Sequence, residues 1–377
     1  MELIFSAEET MLRDSIARYI EREYSFDARR RRMAAPEGFS RETWHALAEL
    51  GVLGAAMPAD IGGFGAGPMG TLIIAHECGR GLVLEPYFAT VVLGAGAVQL
   101  AAATERQELL RRVASGEVLL AFAHGEPDSR YEASWVTTRA TVTPAGFTLA
   151  GRKSVVIHGG VADQLIVSAR TSGAPADADG ISLFIVDRRN SAVRLRDYST
   201  IDGLRAADVE FEDLRVPHDA LLGEMGEAAP VIEHVLDRAN AALCAEATGA
   251  MQSLFERTVS YLRTRQQFGL PLARFQALQH RVADMAMHVE QARSMAYLAA
   301  LHADRTEAGP RGRMISAAKA RVCRASSYVG KQAVQLHGGI GMTDALDVSH
   351  YFRRLTAIER TLGDEDYHVR RFAETSA

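Results

Sequence analysis

The sequence predicts a multidomain protein of α and β structure, in which helical regions flank a β-rich middle region. Apolar residues recur at helical spacing in the first third and again from about residue 227, whereas short runs rich in β-branched and aromatic residues fill the middle. With 377 residues, 47% of them hydrophobic, the chain can bury a large core. We therefore expect an N-terminal all-helical domain (1–116), a middle β domain (117–226) and a C-terminal helical domain (227–377).

The N-terminal region carries helix-start and loop signals. Ser6 and Glu9 have the spacing of a capping box, which predicts a helix starting there. The four arginines at 29–32 are interpreted as a solvated helix end, the alternative being a patch for an acidic partner or a CoA phosphate. The glycine-rich segment 62–68 neither follows a clear strand nor keeps the dinucleotide fingerprint, so we predict a loop.

The middle region consists of short strand-like runs, namely SWVTTRATV, GFTLAG, QLIVSAR, ISLFIVD and DVEFED. Turn residues separate them, which is typical of a compact β-barrel or sandwich. The segment TSGAPADADG at 171–180 is predicted to be a mobile hairpin loop within this domain.

The C-terminal region holds the most informative stretch, from Tyr261 to Met287. It joins a basic turn to an amphipathic helix, whose predicted buried face comprises Leu278, Val282, Met285, Val289 and Ala292. In the turn, Arg263 and Arg265 supply guanidinium groups, and Phe268 supplies a flat apolar ring. This combination suits a phosphate that carries an aromatic base, although a helix end with two surface arginines is the alternative.

A second segment, QLHGGIGMT at 335–343, places three glycines directly after a helix-like run. Glycines let a backbone approach a ligand closely, but a helix that ends in Gly-Gly is also an ordinary C-cap. The segment alone therefore leaves both interpretations open.

Composition and charge exclude several classes of protein. A formal net charge of −5 gives no overall attraction to nucleic acid. Cys78, Cys244 and Cys323 are widely spaced, which indicates neither a disulfide framework nor a zinc cluster and favours a reducing compartment. The start, MELIFSAEET, lacks a basic signal region, and no apolar run reaches the ~20 residues of a membrane span. We expect a cytoplasmic protein without metal, nucleic-acid partner or membrane insertion.

The two C-terminal segments, followed by HYFRRLTAIER at 350–360, resemble the C-terminal domain of the acyl-CoA dehydrogenase family. SAEETMLRDSIARYIERE, the segment 47–67 and LAGRKSVVIHGGVAD at 149–163 are similar to the family's other landmarks in their usual order. The resemblance covers nearly the whole chain and implies an N-terminal helical domain, a middle β-barrel or sandwich and a C-terminal four-helix bundle. GRKSVVIHGG, DGLRAADVEF and the segment 354–372 most resemble the small subunit of pimeloyl-CoA-type dehydrogenases.

The resemblance implies FAD as the cofactor, bound in that family across a subunit interface. It assigns to the pyrophosphate and adenosine end of FAD the residues Arg265, Gln267, Phe268, Gln276, Gln335, Gly338 and Gly339. Nearer the flavin ring, the family's Lys-x-Trp-Ile-Thr-Asn reads Lys153 to His158, and its Thr-Glu-Pro reads Gly125-Glu126-Pro127. His158 is a candidate donor to the flavin ring, the alternative being an ordinary turn residue beside two glycines.

The family's reaction removes the α-proton of an acyl-CoA with a carboxylate, while the β-hydrogen leaves as hydride to the flavin. That carboxylate needs a raised pKa from apolar surroundings. At the usual position of the glutamate this chain has Leu362, and at the other position used in some members it has Ala239. Asp364 is the nearest substitute and a candidate base, although an aspartate before a helix is also an ordinary N-cap.

Two interpretations of function follow. In the first, the chain is a flavoprotein acyl-CoA dehydrogenase of fatty-acid degradation that uses an unusual base and passes electrons to electron-transferring flavoprotein. In the second, it is a non-catalytic subunit that completes the FAD site of a related large subunit in an α2β2 assembly. A homo-oligomer belongs to the first interpretation and a heterotetramer to the second. The second interpretation explains why the segments that face a neighbour match the family while those that face the flavin ring differ.

Overall fold

The computed structural model describes residues 5–102 and 104–374. Residues 1–4 of the N-terminal segment considered above therefore lie outside the described part. The chain forms two compact units. The first, the helical unit, comprises 1–31, 68–83 and 240–377, and the second, the β unit, comprises 32–67 and 84–239. The predicted order of a helical, a β-rich and a helical region is confirmed.

The first third of the chain is helical. Its α-helices are α1 (Ala7–Glu23), α2 (Phe26–Met33), α3 (Arg41–Glu49), α4 (Gly67–Gly81), α5 (Gly96–Ala102) and α6 (Gln107–Ala114). A π-helical segment, Phe88–Ala95, precedes α5. The capping box at the start of α1 is confirmed, because Ser6 Oγ accepts from the Glu9 amide at 3.1 Å and the Glu9 carboxylate accepts from the Ser6 amide at 2.7 Å. The glycine-rich segment before α4 is a loop, as predicted.

The arginine run at 29–32 differs from the expectation of a solvated helix end. Arg29 is buried in the helical unit, where its guanidinium donates to the Leu82 carbonyl and contacts His350 Nδ1, each at 2.9 Å. Arg30 and Arg31 are exposed. Residues three or four positions apart lie on the same face of a helix, and one face of α2 packs on the core. A run of consecutive like charges on α2 therefore cannot remain entirely in solvent.

The middle of the chain forms eight strands of one hydrogen-bonded sheet. They are β1 (Leu120–Ala123), β2 (Arg139–Thr143), β3 (Gly146–Ile157), β4 (Gln164–Arg170), β5 (Ile181–Asp187), β6 (Val193–Ser199), β7 (Arg205–Val216) and β8 (Leu221–Leu222). The strand order is β6-β7-β3-β2-β4-β5-β8, and β1 pairs in parallel with β4. Phe147 of β3 and Phe184 of β5 meet edge to face at 5.0 Å although two strands separate them, so the sheet curls around a shared core.

The loop between β4 and β5 is organised by one side chain. The Arg170 guanidinium donates to several backbone carbonyls, including Pro175 and Asp177 at 3.0 Å and Asp179 at 2.9 Å. The predicted hairpin is present, and these bonds fix the path of its loop.

The final region is helical apart from one short hairpin. It contains α7 (Ala229–Thr264), β9 (Gln266–Gln267), β10 (Leu270–Pro271), α8 (Gln276–His302), α9 (Ala308–His337), α10 (Asp347–Arg360) and α11 (Glu365–Glu374). On α8, Met285, Val289 and Ala292 are buried as predicted, whereas Leu278 and Val282 are half-buried. Helix α9 ends at His337 with Gly338 as its C-cap.

Helices α4 and α7 cross at two glycines in the helical unit. A Cβ added to Gly79 would lie 2.0 Å from the Glu246 carbonyl oxygen, and one added to Gly249 would lie 1.9 Å from that of His76. The two backbones are therefore in direct contact, which no other residue type allows. Among residues 5–102 and 104–374, no helix is long and apolar enough to cross a membrane.

Candidate functional site

The turn that follows α7 displays three of the predicted cofactor-binding side chains, Arg265, Gln267 and Phe268. We call residues 265–269 the arginine turn. Gln266 and Gln267 pair with the strand β10, and Phe268 and Gly269 form the tip with φ angles of 55° and 77°. Phe268 is 90% exposed and meets Phe275 edge-on at 6.1 Å. A ring this exposed contributes little to the core, so its place at a strained tip suits contact with another molecule.

The end of α9 lies beside the end of α7. Tyr261 stacks on His337 with ring centroids 4.4 Å apart, and the Tyr261 hydroxyl reaches the His337 carbonyl at 3.4 Å. Because Tyr261 precedes the arginine turn by four residues, the structure brings the two sequence segments to the same end of the bundle. The predicted residues at this end are exposed, namely Arg265, Gln267, Phe268, Gln276, Gln335, Gly338 and Gly339.

Gly338 and Gly339 leave the backbone open to a ligand. Gly338 has φ 67° and ψ −149°, a conformation that side chains disfavour. A Cβ added to either glycine would meet no atom within 4 Å, so these positions face open space rather than the core. The open backbone, the Arg265 guanidinium and the Phe268 ring fit the charge and the flat base of the FAD pyrophosphate and adenosine end. All of them lie on a surface, which gives a ligand only one wall.

A second turn, residues 361–364, connects α10 to α11 and carries the position of the family's glutamate. We call it the base-position turn. Leu362 has φ 57° and Gly363 has φ 116°. A Cβ on Gly363 would lie 2.5 Å from both Tyr367 and His368 side chains, so only glycine fits there. Asp364 caps α11, because its carboxylate accepts from the Tyr367 amide at 2.9 Å.

Side chains from distant elements hold this turn through its backbone. Lys319 on α9 is fully buried, and its ammonium donates to the carbonyls of Ile358 at 3.0 Å, Thr361 at 2.7 Å and Gly363 at 3.3 Å. The Leu362 carbonyl lies 3.2 Å from His368 Nε2 and 3.4 Å from the Asn240 amide nitrogen. Burial lowers the pKa of Lys319, and it lowers the pKa of His368 to about 3, with Lys319 and Arg371 adding repulsion.

Sequence reasoning did not single out Lys319, His368 or Glu359. Lys319 lies in the alanine-rich run ISAAKARV among Ile315, Ala318 and Val322, and a charge amid a helix's apolar face is the signal that could have indicated it. Burial raises the pKa of Glu359. The negative charges of Glu365 and Asp364 also raise it, whereas the positive charge of Arg360 lowers it. Ala239, at the alternative base position, is fully buried and carries no titratable group.

The β unit contains a buried ionic cluster under the segment Gly125-Glu126-Pro127. Lys153 Nζ lies 2.7 Å from Glu126 Oε1, and their side chains are 0% and 1% exposed. The same ammonium donates to the His124 carbonyl at 3.2 Å and to Ser168 Oγ at 3.0 Å, and Ser168 Oγ lies 2.9 Å from His124 Nδ1. The Ser154 amide donates to the Gly125 carbonyl at 2.8 Å. These bonds fix the backbone of 124–126.

Charge and burial act together on this cluster. Burial lowers the pKa of Lys153 to about 8, although Glu126 opposes that change. Burial also lowers the pKa of His124 to about 3, and the Lys153 charge adds to it. For Glu126, burial would raise the pKa, but Lys153, Thr137 and Thr138 together lower it to about 2. The cluster therefore holds a carboxylate, an ammonium and a neutral imidazole near neutral pH.

The segment Lys153 to His158, which the resemblance matches to the family's tryptophan motif, contains two residues with positive φ angles. Val155, at the tryptophan's position, is 58% exposed with φ 52°, where the register between β3 and β7 shifts. His158 follows the end of β3 and is buried, with φ 54° and Nε2 3.2 Å from the Leu84 carbonyl. That contact identifies Nε2 as the protonated donor. Within the β unit the His158 side chain is thus anchored to Leu84.

Comparison with known proteins gives consistent results along the chain. The N-terminal, middle and C-terminal domain models of acyl-CoA dehydrogenase match residues 6–117, 121–214 and 229–377. An L-prolyl-[peptidyl-carrier protein] dehydrogenase of Pseudomonas fluorescens is 30% identical, with 84% of both chains covered. A caffeyl-CoA reductase-Etf complex subunit of Acetobacterium woodii is 27% identical, with 93% of both covered. A solved chain of the ChsE4-ChsE5 complex from Mycobacterium tuberculosis has a TM-score of 0.88 and 25% identity, covering 99% of this chain and 98% of that one.

Proposed function

Because the chain belongs to the acyl-CoA dehydrogenase family of FAD-dependent oxidoreductases, we propose that it serves as the small subunit of an acyl-CoA dehydrogenase complex. Its arginine turn completes the FAD site of a related catalytic subunit. The observation that carries this proposal is the base-position turn, where the scaffold is complete and the side chain is Leu362.

FAD supplies the acceptor for the hydride that leaves the β-carbon of the acyl thioester. On this chain, the Arg265 guanidinium offers charge-assisted hydrogen bonds to the pyrophosphate, and the exposed Phe268 ring offers a stacking surface for adenine. Gln276 and Gln335 add hydrogen-bonding groups, while Gly338 and Gly339 permit close approach. Since these groups form only one wall, a neighbouring subunit must supply the other.

A leucine cannot accept the α-proton, so proton removal must come from another group. Asp364 is displaced by two positions from the usual glutamate and already caps α11. Displacement of a catalytic group by about 1 Å can cost on the order of a hundredfold in rate. An independent dehydrogenase that uses Asp364 is the alternative, favoured by its place immediately after Gly363. His158 stays a predicted neighbour of the flavin ring, but its Nε2 proton is already donated to the Leu84 carbonyl, so donation to the flavin would require it to leave that partner.

The partners proposed are an acyl thioester, electron-transferring flavoprotein and a related large subunit. The Acetobacterium woodii relative is named as part of an Etf complex, which supports electron-transferring flavoprotein as a partner. The Mycobacterium tuberculosis structure is of a two-component complex, which supports a related large subunit.

A carrier-protein thioester is a second candidate substrate, because the Pseudomonas fluorescens relative acts on a peptidyl-carrier protein. Three free cysteines suit the cytoplasm that we propose as the location.

The test is the visible absorption spectrum of the chain purified alone and incubated with FAD, converted to flavin bound per subunit. Little or no retained flavin is expected, because one wall of a site does not hold the cofactor. Near one flavin per chain, bleached by an acyl-CoA or an acyl carrier protein, would instead establish a self-sufficient dehydrogenase. In that case Asp364→Asn would be the next variant, with Asp366→Asn as the matched control.

A further inference from the structure

An open cavity of about 350 Å³ lies within the helical unit, lined by Phe5 and by residues of α1, α4, α7 and α8. Pockets for small molecules have volumes of roughly 300–1,000 Å³, so this one suits a compact ligand. Its lining comprises Phe5, Arg13, Ala17, Leu72, Ile73, His76, Glu77, Arg80, Ala245, Thr248, Gln252, Arg293, Ala296 and Tyr297. No role proposed above uses these residues.

The cavity lies on a different side of α7 from the base-position turn. Glu246 and Ser253 of α7 contact α10 through Arg354, at 2.6 Å, and Tyr351, at 2.9 Å. The cavity is lined instead by Ala245, Thr248 and Gln252, which are spaced by three and four residues. At 100° per residue these two sets are separated by about a third of a turn. The cavity is therefore distinct from the region where the base is expected.

Helix packing explains why the space exists. Gly79 and Gly249 bring α4 and α7 into backbone contact, which fixes the crossing of the two helices. Beside that crossing, the lining positions Ala17, Ala245 and Ala296 carry only methyl groups, and they leave room that larger side chains would fill. Leu72 and Ile73 complete an apolar floor.

An aromatic wall stands beside this floor. The rings of Phe5 and Tyr297 meet edge to face with centroids 6.3 Å apart, and the Arg13 guanidinium lies 5.8 Å from the centre of the Phe5 ring. Tyr297 is half-buried. Apolar and aromatic surfaces together favour a ligand with a hydrocarbon body.

The charged lining is predominantly positive. It contains three arginines, Arg13, Arg80 and Arg293, against one carboxylate, Glu77. The Glu77 side chain is only 7% exposed. Its carboxylate already lies 3.0 Å from His76 Nδ1 and 3.8 Å from Arg80 Nε. Each of the three guanidinium groups also has a carboxylate partner, so an anion in the cavity would be held by the donors that these ion pairs leave unused.

The arginines keep donors for such an anion. Arg13 donates two hydrogen bonds to Asp14, Arg80 donates two to Glu256, and Arg293 donates one to Glu290. A guanidinium has five N–H donors, so these bonds use fewer than half of them. Asp14, Glu256 and Glu290 are 44%, 49% and 58% exposed, and exposed ion pairs of this kind exchange at little energetic cost.

We propose that this cavity binds a small organic carboxylate with an apolar body. The carboxylate contacts the Arg13 and Arg293 guanidiniums, and the hydrocarbon lies on the alanine floor beside the Phe5 and Tyr297 rings. The site is separate from the FAD and acyl-thioester functions, so it does not depend on which of the two proposed roles the chain performs.

The test is isothermal titration calorimetry of the full chain with octanoate and, as the uncharged probe, 1-octanol. Octanoate is expected to bind one site per chain, and octanol at least about tenfold more weakly, because it lacks the charge-assisted hydrogen bonds. Arg13→Gln with Arg293→Gln should weaken octanoate binding by roughly ten- to a hundredfold. Arg22→Gln, at an exposed ion pair on the same helix α1, is the matched control and should leave binding unchanged.

Gln252→Trp supplies an independent check, because an indole at the rim of the cavity should block octanoate without removing a positive charge. Circular dichroism confirms folding of each variant, and Arg293→Gln alone replaces the double variant should that one fail to fold. Equal affinity for octanoate and octanol would overturn the proposal. So would octanoate binding that survives both the arginine and the Gln252 variants, or octanoate binding that octanoyl-CoA displaces in the wild type, since the ligand would then occupy the thioester site.

Discussion

The arginine turn is exposed, with Phe268 90% accessible, and at the neighbouring end of α9 a Cβ added to Gly338 or Gly339 would meet no atom within 4 Å. The base-position turn is held by Lys319, His368 and Asn240, which bind backbone carbonyls. The first carries side chains that resemble the family, whereas the second has Leu362 where the resemblance predicts the family's glutamate.

The contrast between the two turns agrees with the proposed subunit role, because the fold of the base-position turn does not require a glutamate at position 362. The hydrogen bonds to the base-position turn are made to backbone carbonyls, so they do not depend on the identity of the side chain at position 362. An exposed binding surface, in contrast, contributes little to folding and is defined entirely by its side chains. Four variants separate these two kinds of dependence.

The largest effect is expected for Lys319→Met. The change leaves the carbonyls of Thr361 and Gly363 without the ammonium donor, while the Ile358 carbonyl still accepts from the Thr361 amide at 3.2 Å, and each unsatisfied buried group costs about 1–3 kcal/mol. We expect the free energy of unfolding, measured with urea, to fall by about 3 kcal/mol or more. Lys331→Met is the matched control, because Lys331 is an exposed lysine on the same helix. Equal stability of the two variants would mean that Lys319 does not hold the turn.

Arg265→Ala should act on cofactor binding and leave folding intact. Loss of a charge-assisted hydrogen bond of about 1.5–3 kcal/mol predicts FAD retention weaker by roughly ten- to a hundredfold in the assembled complex. Arg305→Ala controls for loss of surface charge, since Arg305 is exposed in the connection at the far end of α8. Full flavin occupancy in the Arg265 variant would show that the assignment of this turn to FAD is wrong.

The base-position turn should be sensitive to acid through His368. Its pKa is lowered from 6.5 to about 3, so the unfolded chain binds more protons between these values. The contribution of His368 to the free energy of unfolding is fully present above pH 6.5. It declines as the pH falls toward 3, by up to about 1.4 kcal/mol per pH unit. His368→Gln should therefore lose about 2 kcal/mol less than the wild type between pH 6.5 and 5.

Urea unfolding at the two pH values measures this difference. His45→Gln, which replaces an exposed histidine of α3, should retain the wild-type dependence on pH. His124 and His350 have pKa values lowered to about 3 and about 4, so they contribute a slope of the same sign in all variants. An unchanged slope in the His368 variant would show that its imidazole is not kept neutral by burial.

The smallest effect on stability is expected for Leu362→Glu. The turn is held through its backbone and position 362 is only half-buried, so the free energy of unfolding should change by less than about 1 kcal/mol. A larger loss would indicate that the leucine side chain itself is needed. If the chain holds flavin when assembled, this variant should also gain bleaching by acyl-CoA that Leu362→Gln does not.

Local signals in the sequence predicted local structure well. The Ser6 and Glu9 capping box, the buried face of α8 around Met285 and the glycine end of α9 are all confirmed. Each rests on residues within a few positions of one another, where helical geometry alone decides which side chains meet. The arginine run failed as a prediction at Arg29, because its burial depends on Leu82 and on His350, more than fifty and three hundred residues away.

By itself, the sequence determined the order of helical and β regions, the family resemblance and the absence of a glutamate at position 362. Those properties depend on residue identity and short-range periodicity. Only the tertiary structure decided that Lys319 and His368 hold the base-position turn, that the α7 and α9 ends lie together, and that a cavity lies beside the crossing of α4 and α7. Such contacts join residues that are far apart in the chain, and the packing of whole helices brings them within hydrogen-bonding distance.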